Sequence, residues 1–75
     1  MRAIDVLACL PAPTQPVARL DCDEVLYQEL VVLGALGFAE GTATRGEARH
    51  LYVGRLTKSG LARLEELQRR ERGDA

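Results

Sequence analysis

Apolar residues recur at helical spacing in three stretches of the chain and alternate in a fourth. Over residues 1–10, Ile4, Leu7, Ala8 and Leu10 fall on one face and Arg2, Asp5 and Cys9 on the other, which predicts a first helix. Pro11, Pro13 and Pro16 end it, because each proline removes a donor and restrains the residue before it. Thr14 can then cap a short second helix over 14–20, with Pro16 in its first turn and Val17, Ala18 and Leu20 as a small apolar patch. An extended segment over 17–20 is the alternative.

Residues 21–36 predict the central helix. Asp21 and Glu24 have capping-box spacing, and acids at 21, 23 and 24 suit the positive end of a helix. Leu26, Leu30, Leu33 and Gly37 form one stripe, widened by Val25 and Leu36. Gly37 supplies a left-handed stop, after which Phe38 folds back toward Leu33. The opposite face contains Gln28, Val31, Val32 and Ala35. A face that apolar is either covered by the first helix or used in an interface.

A hairpin over 38–56 follows. Its first strand is Phe38 to Glu40, its glycine-bearing loop runs from Gly41 to Arg49, and its returning strand runs from His50 to Leu56. Leu51 and Tyr52 point to opposite faces, so only one can be central to the core. Thr57 caps a last helix over 57–72, with Leu61, Leu64 and Leu67 as its buried stripe. Glu65 with Arg69 and Glu66 with Arg70 stand four apart in the favourable order, and residues 72–75 are expected to fray. These elements make one domain over 1–75, of the α+β class.

Composition narrows the chemistry. The chain has 75 residues and no Trp, one Phe and two Tyr, so its core must be aliphatic. No apolar run spans a membrane or makes a signal peptide, which places the protein in a cytoplasm. Cys9 and Cys22 fit that compartment as reduced thiols. With His50 the only histidine and no Cys-x-x-Cys, a zinc site is not expected, nor any other metal or cofactor. Residues 1–44 hold two Arg against six acids, giving −4, and residues 45–75 hold eight basic residues against five acids, giving +3. Nucleic-acid contact would therefore come from the second half.

The order helix, short helix, long helix, strand, loop, strand, helix resembles a small winged helix-turn-helix. Leu33-Gly-Ala-Leu-Gly-Phe-Ala-Glu40 resembles the junction of a recognition helix with the wing. Arg55-Leu-Thr-Lys-Ser-Gly-Leu-Ala-Arg-Leu64 is similar to the Leu-Thr-x-x-Gly step that ends the wing in MarR-type and PadR-type regulators and in small phage-type winged-helix proteins. The likeness covers residues 14–67, and it implies a DNA-binding transcriptional regulator, as a homodimer on double-stranded DNA. The positions matching the base-reading part of the recognition helix are Asp23, Glu24, Tyr27, Gln28 and Val31. Gln28 can read adenine and Glu24 can accept from cytosine. That helix departs from the pattern in having no Lys or Arg, and its carboxylates would repel phosphate with nothing nearby to neutralise them. The family's dimerising end helices are short or missing.

Two functional classes follow. For DNA, the contacts would be Tyr27, Gln28, Arg45, Arg49, His50, Arg55 and Lys58, with the wing arginines on phosphates or in a minor groove. A solvated hairpin tip partly offset by Glu47 is the plainer account of the same loop. For a protein partner, the contacts would be Glu24, Gln28, Val31, Val32 and Ala35. An inhibitor of a host system carried by a phage or mobile element, of the anti-CRISPR kind, would be of this second class. Catalysis is not expected, because no nucleophile, base and orienting group stand in a motif, and no surplus of chain makes a small-molecule pocket.

Overall fold

The computed structural model describes residues 1–73. Along the chain lie α1 (Ala3–Ala8), β1 (Ala18–Cys22), α2 (Glu24–Ala35), β2 (Ala39–Thr44), β3 (His50–Leu56) and α3 (Lys58–Glu71). The three strands form one antiparallel sheet in the order β1-β3-β2. The α+β class is as expected; the detail differs at the first edge of the sheet.

Residues 14–20 do not form a short helix. A turn closes at Gln15, whose N–H donates to the Ala12 carbonyl, and the chain then extends into β1. β1 pairs with β3 from Ala18↔Gly54 to Cys22↔His50. The expected two-stranded hairpin is thus the larger part of a three-stranded sheet. Because a strand stands between α1 and α2, no tandem pair of helices is formed among the described residues. The physical reason is β3, whose second edge would otherwise be left without hydrogen-bond partners.

The cap of α2 lies two residues after Asp21, which β1 has taken. Asp23 is its N-cap, accepting from the Leu26 N–H at 2.8 Å. Its end is as the sequence predicts. Gly37 has φ +83°, its N–H donates to the Gly34 carbonyl, and the Phe38 N–H donates to Leu33 at 2.9 Å. β2 runs on to Thr44, so the hairpin loop is Arg45–Arg49 and shorter than expected.

β3 alternates strictly. His50, Tyr52, Gly54 and Leu56 are buried, and Leu51, Val53 and Arg55 are half-buried on the other face. The three helices gather on the buried face. Val6, Leu7 and Leu10 from the α1 region meet Leu30 and Leu33 of α2, Leu64 of α3, and Cys22, Ala39, Tyr52 and Leu56 of the sheet. The core is aliphatic apart from Cys22 and Tyr52. Val6 belongs to it and Ala8 does not, since α1 ends at Ala8 and Leu10 reaches inward from the turn beyond it.

α3 is locked to the end of α2. The Thr57 hydroxyl accepts from the Gly60 N–H at 3.0 Å and donates to the Gly37 carbonyl at 2.6 Å. The Thr57 N–H donates to the Phe38 carbonyl at 3.1 Å. Gly60 sits directly under that carbonyl, and a Cβ there would run into it. The Leu-Thr-x-x-Gly step therefore has a local physical meaning: one threonine caps the helix and one glycine lets it approach the preceding turn.

Candidate protein or nucleic-acid interface on α2 and the hairpin tip

The N-terminus of α2 and the hairpin tip meet around Glu24. Arg45 Nη1 donates to Glu24 Oε1 at 2.6 Å, and Gln28 Nε2 donates to Glu24 Oε2 at 2.8 Å. The Arg45 guanidinium also lies over the Tyr27 ring, 4.6 Å from its centroid. Tyr27 in turn is tilted against His50, with ring centroids 4.7 Å apart. His50 Nδ1 accepts from the Gly46 N–H at 3.0 Å, so that nitrogen is unprotonated and Nε2 faces Glu24 Oε1 at 3.3 Å as donor.

Four of the seven residues expected at DNA, Tyr27, Gln28, Arg45 and His50, are thus brought together by Glu24. The arrangement is closed on itself. His50 is 7% exposed and both its ring nitrogens are used internally, so neither is open to the DNA contact expected of it. Arg49 reaches the Asp21 carboxylate at 3.5 Å. Arg55, at the far end of the hairpin, donates to Glu40 at 2.8 Å and to the Gln15 carbonyl at 2.9 Å. Lys58 stands apart, exposed at the start of α3.

The expectation that nothing neutralises the acids before and within α2 is corrected here. Arg45 and Arg49 neutralise Glu24 and Asp21. The same contacts remove those two arginines from the supply of free cations on the hairpin. The hydrogen bonds from Arg45 and then Gln28 hold the Glu24 carboxyl down to about 2, well below the ordinary carboxylate range. A depressed folded-state value means the contact is whole above the ordinary glutamate range and is lost as pH falls toward 2. A carbon-detected NMR titration of the Glu24 carboxyl should therefore have its midpoint near 2. A midpoint near that of an ordinary glutamate would mean that Arg45 does not hold Glu24 in solution.

The outer face of α2 is the other feature. Val25, Val31, Val32 and Leu36 are 54%, 42%, 50% and 62% exposed, and Gln28 and Ala35 lie exposed among them. α1 does not cover this face, because its buried residues Val6 and Leu7 point into the core between α2 and α3. Val25 and Leu36 were expected to widen the buried stripe. They belong instead to the exposed one, where Val25, Val32 and Leu36 repeat at seven and four residues. The inner stripe of Leu26, Leu30 and Leu33 was legible; the side to which the flanking Val25 and Leu36 belonged was not.

Burial pushes the Cys22 thiol up from its ordinary value, with Asp21 adding to the shift, while Cys9 is exposed; both are free. An open groove lined by Phe38, Ser59, Ala62, Arg63 and Glu66 shares no residue with the Glu24 cluster. Among the described residues no group of His, Cys, Asp and Glu could hold a metal ion, and no helix is long and apolar enough to cross a membrane. Comparison with protein-family models, with curated proteins and with solved structures finds no match to this chain.

Proposed function

We propose that the chain is a small winged-helix-like binding module that docks onto a protein partner through the outer face of α2. The likeness to a winged helix rests on the sheet order β1-β3-β2 and on the hairpin that follows α2. The observation that carries the choice of partner is the contiguous exposure of Val25, Val31, Val32 and Leu36 on a helix with no Lys or Arg. Exposed apolar surface of this kind is stabilised by being covered. Asp23 and Glu29 stand on or beside the same face. The fitting partner is thus a protein surface with an apolar strip and basic side chains at its rim.

The charges on α2 and the hairpin disfavour DNA. Phosphate would meet Asp23, Glu24 and Glu29 on α2, while Arg45, Arg49 and Arg55 are engaged by Glu24, Asp21 and Glu40. Mixed-sequence duplex DNA titrated at low salt should show no binding. Binding that weakens steeply as salt rises would overturn this proposal in favour of DNA. The positive arm is a displayed library of protein fragments selected against the wild-type chain. Val31→Glu with Val32→Glu should weaken the selected binders about thirtyfold or more, as expected when central apolar contacts are lost. Both positions are exposed, so the fold is retained. Binders indifferent to both substitutions would remove α2 from the interface.

A further inference from the structure

The two edges of the sheet are finished differently. β1 has five residues, follows closely on Pro16, and carries Arg19 and Asp21. Proline and charge on an edge strand discourage pairing with another chain. β2 has six residues, Ala39-Glu-Gly-Thr-Ala-Thr44, and is registered on β3 without a bulge from Ala39↔Leu56 to Thr44↔Leu51. Its one charge, Glu40, is held by Arg55 at 2.8 Å. From Gly41 to Thr44 there is neither charge nor proline, and only Ala43 is half-buried. β3 lies on one side of β2 and, among the described residues, no strand lies on the other. Alternate backbone N–H and C=O groups on that outer side are a template for a further strand.

We propose that β2 pairs with β2 of a second copy, antiparallel about a two-fold axis at Thr42, which joins the two sheets into one. Opposed residues in an antiparallel pair share a face and a hydrogen-bonding phase, so a two-fold axis must place some residue opposite itself. Centring on Thr42 sets Thr42 against Thr42, Gly41 against Ala43, and Glu40 against Thr44. Threonine against threonine is a favourable cross-strand pair, and no like charges meet. A centre at Gly41 keeps as many residues of the strand paired, but sets glycine against glycine and Glu40 against Thr42, and so loses the threonine pair; a centre at Ala43 pairs only three residues within the strand. This self-complementarity favours a second copy over a foreign strand, which would need only the backbone. Glu40, Thr42 and Thr44 are exposed on the sheet face away from the helices, so a change there leaves the core intact.

Sedimentation equilibrium from micromolar to millimolar concentration tests the proposal. The wild-type chain should move from monomer to dimer. Thr44→Glu sets like charge against Glu40 of the other copy, twice by symmetry, and should weaken dimerisation on the order of fivefold. Thr44→Lys sets opposite charge there and should leave the dimer as tight or tighter. A general effect of edge charge would weaken both variants alike. A monomer at every concentration, or a dimer that responds equally to the two Thr44 variants, overturns the proposal. So does a dimer that ignores Thr44 and dissociates with Val32→Glu. That last outcome assigns self-association to α2, and the first leaves the α2 proposal standing. Circular dichroism of each variant confirms that the fold is retained.

Discussion

Leu30→Ala should destabilise the domain by about 2–5 kcal/mol, the range for removing a large aliphatic side chain from a core that cannot collapse around the gap. Leu30 is 1% exposed and stands where α2 meets the core of helices and sheet. A domain of 75 residues has on the order of 4–11 kcal/mol of total stability at about 0.05–0.15 kcal/mol per residue. The substitution therefore removes a large share of what holds the fold. Each kcal/mol lowers the melting temperature of a domain this size by about 4–8 °C. Urea unfolding should show a lower midpoint with an unchanged slope, since the surface exposed on unfolding is nearly the same. A melting temperature within a few degrees of wild type would mean that α2 does not anchor the core as described.

Gly60→Ala should also destabilise, by about 1–3 kcal/mol, although glycine to alanine inside a helix normally stabilises by about 1 kcal/mol. The sign reverses because the new Cβ would run into the backbone carbonyl of Phe38, which cannot rotate away as a side chain tip can. That carbonyl accepts from the Thr57 N–H, and Thr57 caps α3, so displacing it disturbs the helix start as well. Gly34→Ala is the matched comparison. Its nearest outside atom is the Ala39 carbonyl oxygen at 3.9 Å, an ordinary contact, so this variant should be stabilised. Thermal melts of the pair should move in opposite directions. If both rise, the α2–α3 junction is looser than its hydrogen bonds indicate.

Much of the architecture was legible because it is written in local chemistry. Gly37 and Phe38 end α2 as their residue types require, and Thr57 caps α3 through the N–H of Gly60. The alternation of His50 to Leu56 put Leu51 and Tyr52 on opposite faces, and the fold then placed Tyr52 inside. The segment 14–20 failed because its local signals were mixed. Thr14 before Pro16 reads as a helix start, while Ala18, Leu20 and Cys22 alternate as a strand does. The unpaired edge of β3 decided between them, and no window of sequence holds both partners. Taking β1 as a strand also moved the cap of α2 from Asp21 to Asp23.

The candidate site was legible in its membership and hidden in its wiring. Gln28, Val31, Val32 and Ala35 were read from helical spacing alone, and they are exposed. The inner and outer faces could not be told apart at Val25 and Leu36, because α2 is apolar nearly all round and only the sheet chooses a side. The ion pairs were out of reach for a different reason. Glu24 and Arg45 are 21 residues apart in sequence, and Asp21 and Arg49 are 28 apart. Charges that distant are joined only by the register of β1 on β3 and the fold of the hairpin tip over α2. The sequence by itself thus determined where helices and strands begin and end wherever a cap, a stop or an alternation was local. The tertiary structure alone decided on which face the flanking Val25 and Leu36 fell and which arginines were engaged by acids, since both depend on neighbours brought together by folding.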